Sequence, residues 1–183
     1  LAYLGFSDHF IFTRASSSRY PYSESGLHPV SGAGYCLDQL SCLTYAAAVT
    51  SRIRLLTSVM VIPHRPPVQT AKTLASIDVL SNGRVTVGAG VGWLAEEMAV
   101  LGSPPYERRG AASDEYIKAF RELWTAKDPV LDGNFVKFRD VLFEPKPAQR
   151  GGIPIWIGGE GKAARRRAGR LGDGWYPTIR NPR

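Results

Sequence analysis

Cysteine is scarce in this chain: Cys36 and Cys42 are the only two in 183 residues. They lack CxxC spacing, and no second ligand pair stands at metal-binding distance in the sequence, so neither a zinc ribbon nor a dithiol redox motif is supported. Two isolated thiols suit a reducing cytoplasm, which is the expected location. Long apolar runs are also missing. None approaches the ~20 residues a helix needs to cross a bilayer, so no membrane role is expected. The chain opens Leu1-Ala2-Tyr3, without Met and without a basic-then-apolar leader. It is expected to be a fragment, entering at the tail of a helix and stopping at Asn181-Pro182-Arg183, just past a strand end. Acidic residues are the minority charge, 16 against 23 basic, for a net +7. Such an excess suits nucleic acid or a small anion. The bases are mostly dispersed, and charge alone decides little.

What the chain does have is a rhythm. Five apolar runs, residues 4–6, 53–56, 85–87, 153–157 and 174–176, each end in glycine or small polar residues. A helix-like stretch follows most of them. Strands alternating with helices argue for an α/β fold with a parallel sheet. Such sheets bind ligands at the carboxyl ends of their strands, so chemistry spread along the sequence converges on one rim. An enzyme is the natural expectation. The order fits either an α/β barrel segment or a doubly wound sheet. A complete eight-stranded barrel takes roughly 250 residues, so a barrel here would be incomplete at both ends.

Helices are expected over residues 37–49, over 66–80 with Asn82-Gly83 as a C-terminal cap, and over 162–171. The clearest helix is expected to start at Ser113-Asp114, with Tyr116, Ile117, Phe120, Leu123 and Trp124 on one core-facing stripe. Residues 13–34, rich in Ser, Gly, Pro and Tyr, form a long loop, either a functional lid or a surface excursion. Residues 132–154 form a second excursion, with a turn at Asp132-Gly133-Asn134 and a short hairpin or edge segment after it.

Gly88-Ala89-Gly90-Val91-Gly92-Trp93 resembles a dinucleotide fingerprint only in part. The third glycine is replaced by Trp93, no acid ends a second strand about 20 residues on, and no Gly-Lys-Ser/Thr follows to make a P-loop. What remains is a glycine-lined strand end that a flat ligand could approach closely, or simply a tight βα turn. Asp8-His9 places an acid beside a group that titrates near neutrality. Neighbours on a strand point to opposite sides, so the two are not expected to form one acid–base pair; one would contact a ligand while the other orients the loop. The hydroxyls of Thr57 and Ser58 read as structural. Gly158-Gly159-Glu160-Gly161 offers backbone N–H groups at a helix start, which suits phosphate. Arg165, Arg166 and Arg167 fan around that helix and read mostly as a solvated face, with no stacking platform for nucleic acid.

Taken in order, Ser7-Asp8-His9-Phe10, Ser51-Arg52-Ile53-Arg54-Leu55 with Thr57-Ser58-Val59, Ala75-Ser76-Ile77-Asp78-Val79-Leu80-Ser81 with Gly83-Arg84, the glycine segment with Glu96-Glu97, Pro154-Ile155-Trp156-Ile157-Gly158-Gly159 and Leu171-Gly172-Asp173-Gly174-Trp175 resemble the bacterial luciferase-like superfamily. The branch most resembled uses the deazaflavin coenzyme F420. The resemblance implies a TIM-type (β/α)8 barrel, present here as about strands two to six. It implies a barrel domain over 1–183, with 13–34 as loop or lid and 132–154 as an insertion. Asp8 and His9 would lie at the ring-binding site, with His9 the acid–base or substrate-facing catalytic residue. Ser58-Val59 would match a non-prolyl cis peptide against the ring. Gly90, Val91 and Gly92 would line the cofactor, and Gly158 and Gly159 its phosphate-bearing tail. Trp93 stands where some sugar-phosphate-oxidising members carry a catalytic glutamate, which argues against that substrate class; Glu96 and Glu97, a helical turn on, are not simple replacements. The implied activity is F420-dependent hydride transfer to or from a small organic substrate. The alternatives are an FMN-dependent monooxygenase and a non-catalytic cofactor-binding protein. A reductase supplying reduced cofactor and a homodimer of the complete chain are the implied partners, with neither nucleic acid nor membrane.

Overall fold

A computed structural model describes residues 2–29 and 32–178. Five parallel strands form one sheet in the order β1 (Tyr3–Phe6), β2 (Arg54–Val61), β3 (Val85–Gly90), β6 (Ile155–Gly158) and β7 (Gly174–Tyr176). Helices α1 (Gln39–Val49), α2 (Pro67–Leu80), α4 (Arg109–Thr125) and α5 (Lys162–Leu171) lie in the connections, with the six-residue α3 (Ala95–Val100) directly after β3. Strands β4 (Leu131–Asp132) and β5 (Lys137–Phe138) pair separately as an antiparallel hairpin.

The sheet is curled. Ser58 on β2 and Tyr176 on β7 are three strands apart, about 14 Å across a flat sheet. Yet Ser58 Oγ and Tyr176 Oη meet at 3.0 Å. Tyr3 on β1 and Trp156 on β6 likewise bring their ring centroids to 5.3 Å. Only a barrel-like arc with this face inside closes such gaps. The chain thus forms an incomplete TIM-type barrel, with the doubly wound alternative excluded by the curl and by helices packed on one side.

That outer side holds the core. Leu43 of α1, Leu74 and Ile77 of α2, and Ile117, Phe120 and Leu123 of α4 pack fully buried against Leu55, Val85, Val87 and Ile155. The expected stripe on α4 is all buried, and Trp124 Nε1 donates to Ala71 O at 3.0 Å, tying α4 to α2. Asp38 caps α1 by accepting the Ser41 N–H at 2.7 Å. Pro67 opens α2, and Asn82 and Gly83 turn left-handed (φ 54° and 74°) after its end.

Two expectations need correction. Helix α4 starts at Arg109, not at Ser113-Asp114. Ser113 is buried and its hydroxyl donates to Arg109 O at 2.8 Å, a bond made inside a helix rather than at its cap. Nor is Arg167 part of a solvated face: it is buried, its guanidinium pairs with Asp114, and it donates to Gly110 O at 3.0 Å. Arg170 Nη2 pairs with the other oxygen of Asp114 at 2.7 Å, so one α4 carboxylate ties two arginines of α5.

Candidate active site

The carboxyl ends of the five strands surround one cavity of about 690 Å³. Asp8, His9, Ser58, Val59, Gly90, Val91, Gly92, Gly158 and Gly159 all line it. Residues from three strands (β2, β3 and β6) and from the loops after β1, β3 and β6 therefore meet at one rim.

Its floor is built by a break in β2. Pairing with β3 shifts register between Thr57 and Met60, and the Ser58–Val59 peptide is cis. The bulge swings Val59 across β3 towards β6. A Cβ on Gly90 would lie 2.7 Å from Val59 Cγ2, and one on Gly158 would lie 2.9 Å from Val59 Cγ1. Glycine at both strand ends is what gives Val59 its place. Thr57, by contrast, is buried and donates to Gly88 O at 2.8 Å, a structural bond.

Asp8 and His9 turn to different partners. Asp8 is buried; Oδ2 accepts the Val61 N–H at 2.8 Å and Arg65 Nη1 at 2.7 Å, while Oδ1 accepts Arg65 Nη2 at 2.8 Å. Arg65 also reaches Asp38 at 3.2 Å and covers the Phe10 ring at 4.2 Å. The Asp8 carboxylate and the Arg65 guanidinium together thus clamp the ends of β1 and β2 and the start of α1. His9 sits 2.7 Å by Nδ1 from Glu97 Oε2, and Glu97 Oε1 accepts the N–H groups of Phe10 at 2.7 Å and Ile11 at 3.2 Å. Glu97 is fully buried. Burial favours its neutral acid, but the His9 hydrogen bond, the neighbouring His64 and the Phe10 N–H outweigh that and hold its carboxyl below the usual range. His64 lies 3.9 Å from Glu97 with both ring nitrogens enclosed and without a hydrogen-bond partner among the described residues. Burial pushes its pKa down, so it is neutral.

Arg65, Glu97 and His64 escaped sequence reasoning. The signal for Glu97 was its place in the acidic pair behind the glycine segment. Nothing local marked Arg65 or His64.

Glu96 faces the other way. Its Oε1 accepts the Ser17 N–H at 2.7 Å, the Ser17 hydroxyl at 2.9 Å and the Ser18 N–H at 3.2 Å. Ser18 Oγ in turn accepts the Ala95 N–H at 3.1 Å. The long loop is thereby fastened to α3, and its rings lean on the site. Tyr20 packs 5.3 Å from Trp93, and His28 stacks on Trp93 at 6.0 Å and 16° and meets His9 at 5.0 Å. At the opposite end of the cavity, Gly161 caps α5 without any side-chain bond, leaving first-turn N–H groups available beside Arg167.

A sequence model described as luciferase-like monooxygenase matches residues 4–183. The chain belongs to this family. An uncharacterized protein of Mycobacterium tuberculosis is 39% identical to this luciferase-like protein over 170 residues, 88% of this chain and 60% of its own length. An FMNH2-dependent dimethylsulfone monooxygenase of Pseudomonas putida is 35% identical over 136 residues, covering 73% of this chain and 37% of that enzyme. Among solved structures, the monooxygenase RslO1 from Streptomyces bottropensis superposes with a TM-score of 0.76 at 27% identity, over 93% of this chain and 46% of its own. An F420-dependent secondary alcohol dehydrogenase in complex with an F420-acetone adduct shares the fold, with a TM-score of 0.74 at 21% identity over 96% of this chain and 48% of its own. The luciferase-like chain therefore spans about 60% of the length of the mycobacterial relative it matches. The family model is one of luciferase-like monooxygenases, and the relatives that match this chain include an FMNH2-dependent enzyme. No helix among the described residues is long and apolar enough to cross a membrane.

Proposed function

We propose that the cavity binds a deazaflavin of the F420 type and supports hydride transfer to or from a small organic substrate. The observation that carries this reading is the convergence of a flat floor, Val59 laid over two glycines, and one acid–base side chain on a single rim. A flat ring needs a surface without protruding side chains, and the Gly90–Val59–Gly158 arrangement supplies one, with Val59 filling the space that two Cβ atoms would otherwise take. A volume of about 690 Å³ suits a cofactor plus a small partner. The residues fit the group. Val59, Gly90, Val91 and Gly92 would hold the ring. Gly158, Gly159 and the α5 N-terminus would meet a phosphate. When bound, the cofactor supplies a two-electron hydride donor or acceptor.

The protein's own residues do the remaining work. His9, whose Nε2 makes no hydrogen bond among the described residues, would take or give the proton on the substrate. Tyr20, His28 and Trp93 form an aromatic roof that would limit water access, with the 13–34 loop as its lid. Asp8 acts indirectly, through the Arg65 clamp. The second reading is an FMN-dependent monooxygenase, favoured by the 35% identity to the dimethylsulfone enzyme. The test is to titrate the full-length protein with F420 and with FMN separately, following cofactor fluorescence. Selective micromolar binding of F420 is expected. Preference for FMN moves the assignment to oxygen chemistry with a reductase partner, and binding of neither rejects the cofactor reading.

A further inference from the structure

Three groups converge on the buried Glu97 carboxylate: the N–H groups of Phe10 and Ile11 donate to Oε1, and His9 Nδ1 lies opposite Oε2. Backbone N–H groups can only donate, and an ionised carboxylate can only accept. A hydrogen bond at 2.7 Å between Oε2 and Nδ1 therefore requires the proton to sit on Nδ1. Neutral imidazole carries one N–H, so Nε2 is left with a lone pair. His9 lines the cavity. We propose that Glu97 is a positioning residue that fixes His9 as its Nδ1–H tautomer and so presents a proton-accepting nitrogen to the cavity. The complementary substrate carries an O–H or N–H donor at the reacting centre, as an alcohol does. This substrate consequence rests on reading the cavity as the reaction site. The tautomer itself does not.

Every other group facing the pair leaves it intact. His64, from the turn after β2, lies 3.9 Å from Glu97 and is kept neutral by burial. His28, from the loop, meets the His9 ring at 5.0 Å, and burial above all pushes its pKa down. Phe12 and Trp93 contribute rings at 4.5 and 5.9 Å. Arg65 is committed to Asp8 and Asp38. None of these supplies a competing donor to Oε2.

The Glu97→Gln variant makes the idea testable because the amide has only one acceptor oxygen. The part-buried Phe10 and Ile11 N–H groups would lose their acceptor if the amide turned its NH2 towards them. The amide must then turn its NH2 towards His9, which can receive it only with an unprotonated Nδ1. The ring proton is forced to Nε2, and the cavity nitrogen changes from acceptor to donor.

The measurement is ring 15N NMR of the full-length protein, labelled at histidine, at alkaline pH. The sequence has three histidines, so His28 and His64 variants complete the assignment. In the wild type, the protonated-type shift is expected at His9 Nδ1 and the bare-nitrogen shift at Nε2. In Glu97→Gln the two should exchange, with turnover falling about 10²–10⁴-fold and cofactor affinity unchanged. An Nε2–H tautomer in the wild type overturns the proposal on its own, whether or not the variant folds. A variant that keeps Nδ1–H also overturns it. Because the spectrum needs no cofactor, an Nδ1–H result without F420 or FMN binding would reject the proposed function and leave the role of Glu97 standing.

Discussion

Asp8 and His9 are adjacent, similarly buried, and given to opposite tasks. Asp8 spends both oxygens on Arg65 and Val61, whereas His9 spends one nitrogen on Glu97 and keeps the other for the cavity. The Asp8–Arg65 pair is bidentate, and its side chains are 0% and 10% exposed, so solvent screens it little. Removing one partner strands a buried charge. Arg65→Met should lower stability by about 3–5 kcal/mol, read as the urea midpoint at constant slope. A loss below 1 kcal/mol would mean that Asp8 is not clamped as described. Gly90 offers a second check at this scale. A Cβ there meets Val59 Cγ2 at 2.7 Å, so Gly90→Ala must displace the cavity floor. A destabilisation of about 1–3 kcal/mol is expected, together with weaker cofactor binding in the fluorescence titration. Unchanged binding would detach the floor from the cofactor site.

Consecutive acids at the start of α3 fasten two different segments, Glu97 the end of β1 and Glu96 the long loop. The Glu96 carboxyl is pulled down to about 2, by the Ser18 hydroxyl first and also by the Ser17 donors, which together outweigh the opposing effect of burial. A folded value below the unfolded one of 4.5 means that the latch contributes fully above about pH 4.5 and is lost as pH falls through about 2. Hydrogen-exchange protection of the Ser17 and Ser18 amides should stay level from neutral pH to about 5 and decline below. Glu96→Ala should remove it at every pH and speed proteolysis within 13–34. Equal protection in wild type and variant would show that the rings alone hold the loop. Much at this scale was legible from the sequence, because strands, turns and helix caps are local. Pro67, Asn82-Gly83 and the Phe120 stripe each announce their element. The start of α4 was misread because Ser113 has the chemistry of a cap and the setting of an interior residue. Short α3 has too few residues to show a period. The clamp by Arg65 joins residues 57 positions apart, the His9–Glu97 pair joins residues 88 apart, and the neutral His64 beside it depends wholly on packing. No periodicity encodes such meetings. The family motifs marked where the rim lies; the pairing within it needed three dimensions.

Curl, edges and length belong together at the scale of the molecule. The arc brings β2 and β7 within hydrogen-bond reach through Ser58 and Tyr176, yet among the described residues β1 and β7 each pair on one side only. Tyr3 and Trp175 are half exposed on those outer strands. Barrel closure removes sheet edges altogether, and an open parallel arc keeps two rows of unpaired N–H and C=O groups. The mycobacterial relative is matched over 60% of its length, which leaves room for strands that would cover both rows. A polypeptide limited to these 183 residues is therefore expected to self-associate at about 10 μM, edge against edge, while a chain extended to the relative's length stays discrete. Size-exclusion chromatography with light scattering separates the outcomes. Species well above the 20.0 kDa of the chain, shrinking on extension, match the edge account. A stable 20.0 kDa monomer would show that the arc protects its own edges. The cavity would then be complete on five strands, and His9, Glu97 and the glycine floor would constitute the binding site without help from any further strand.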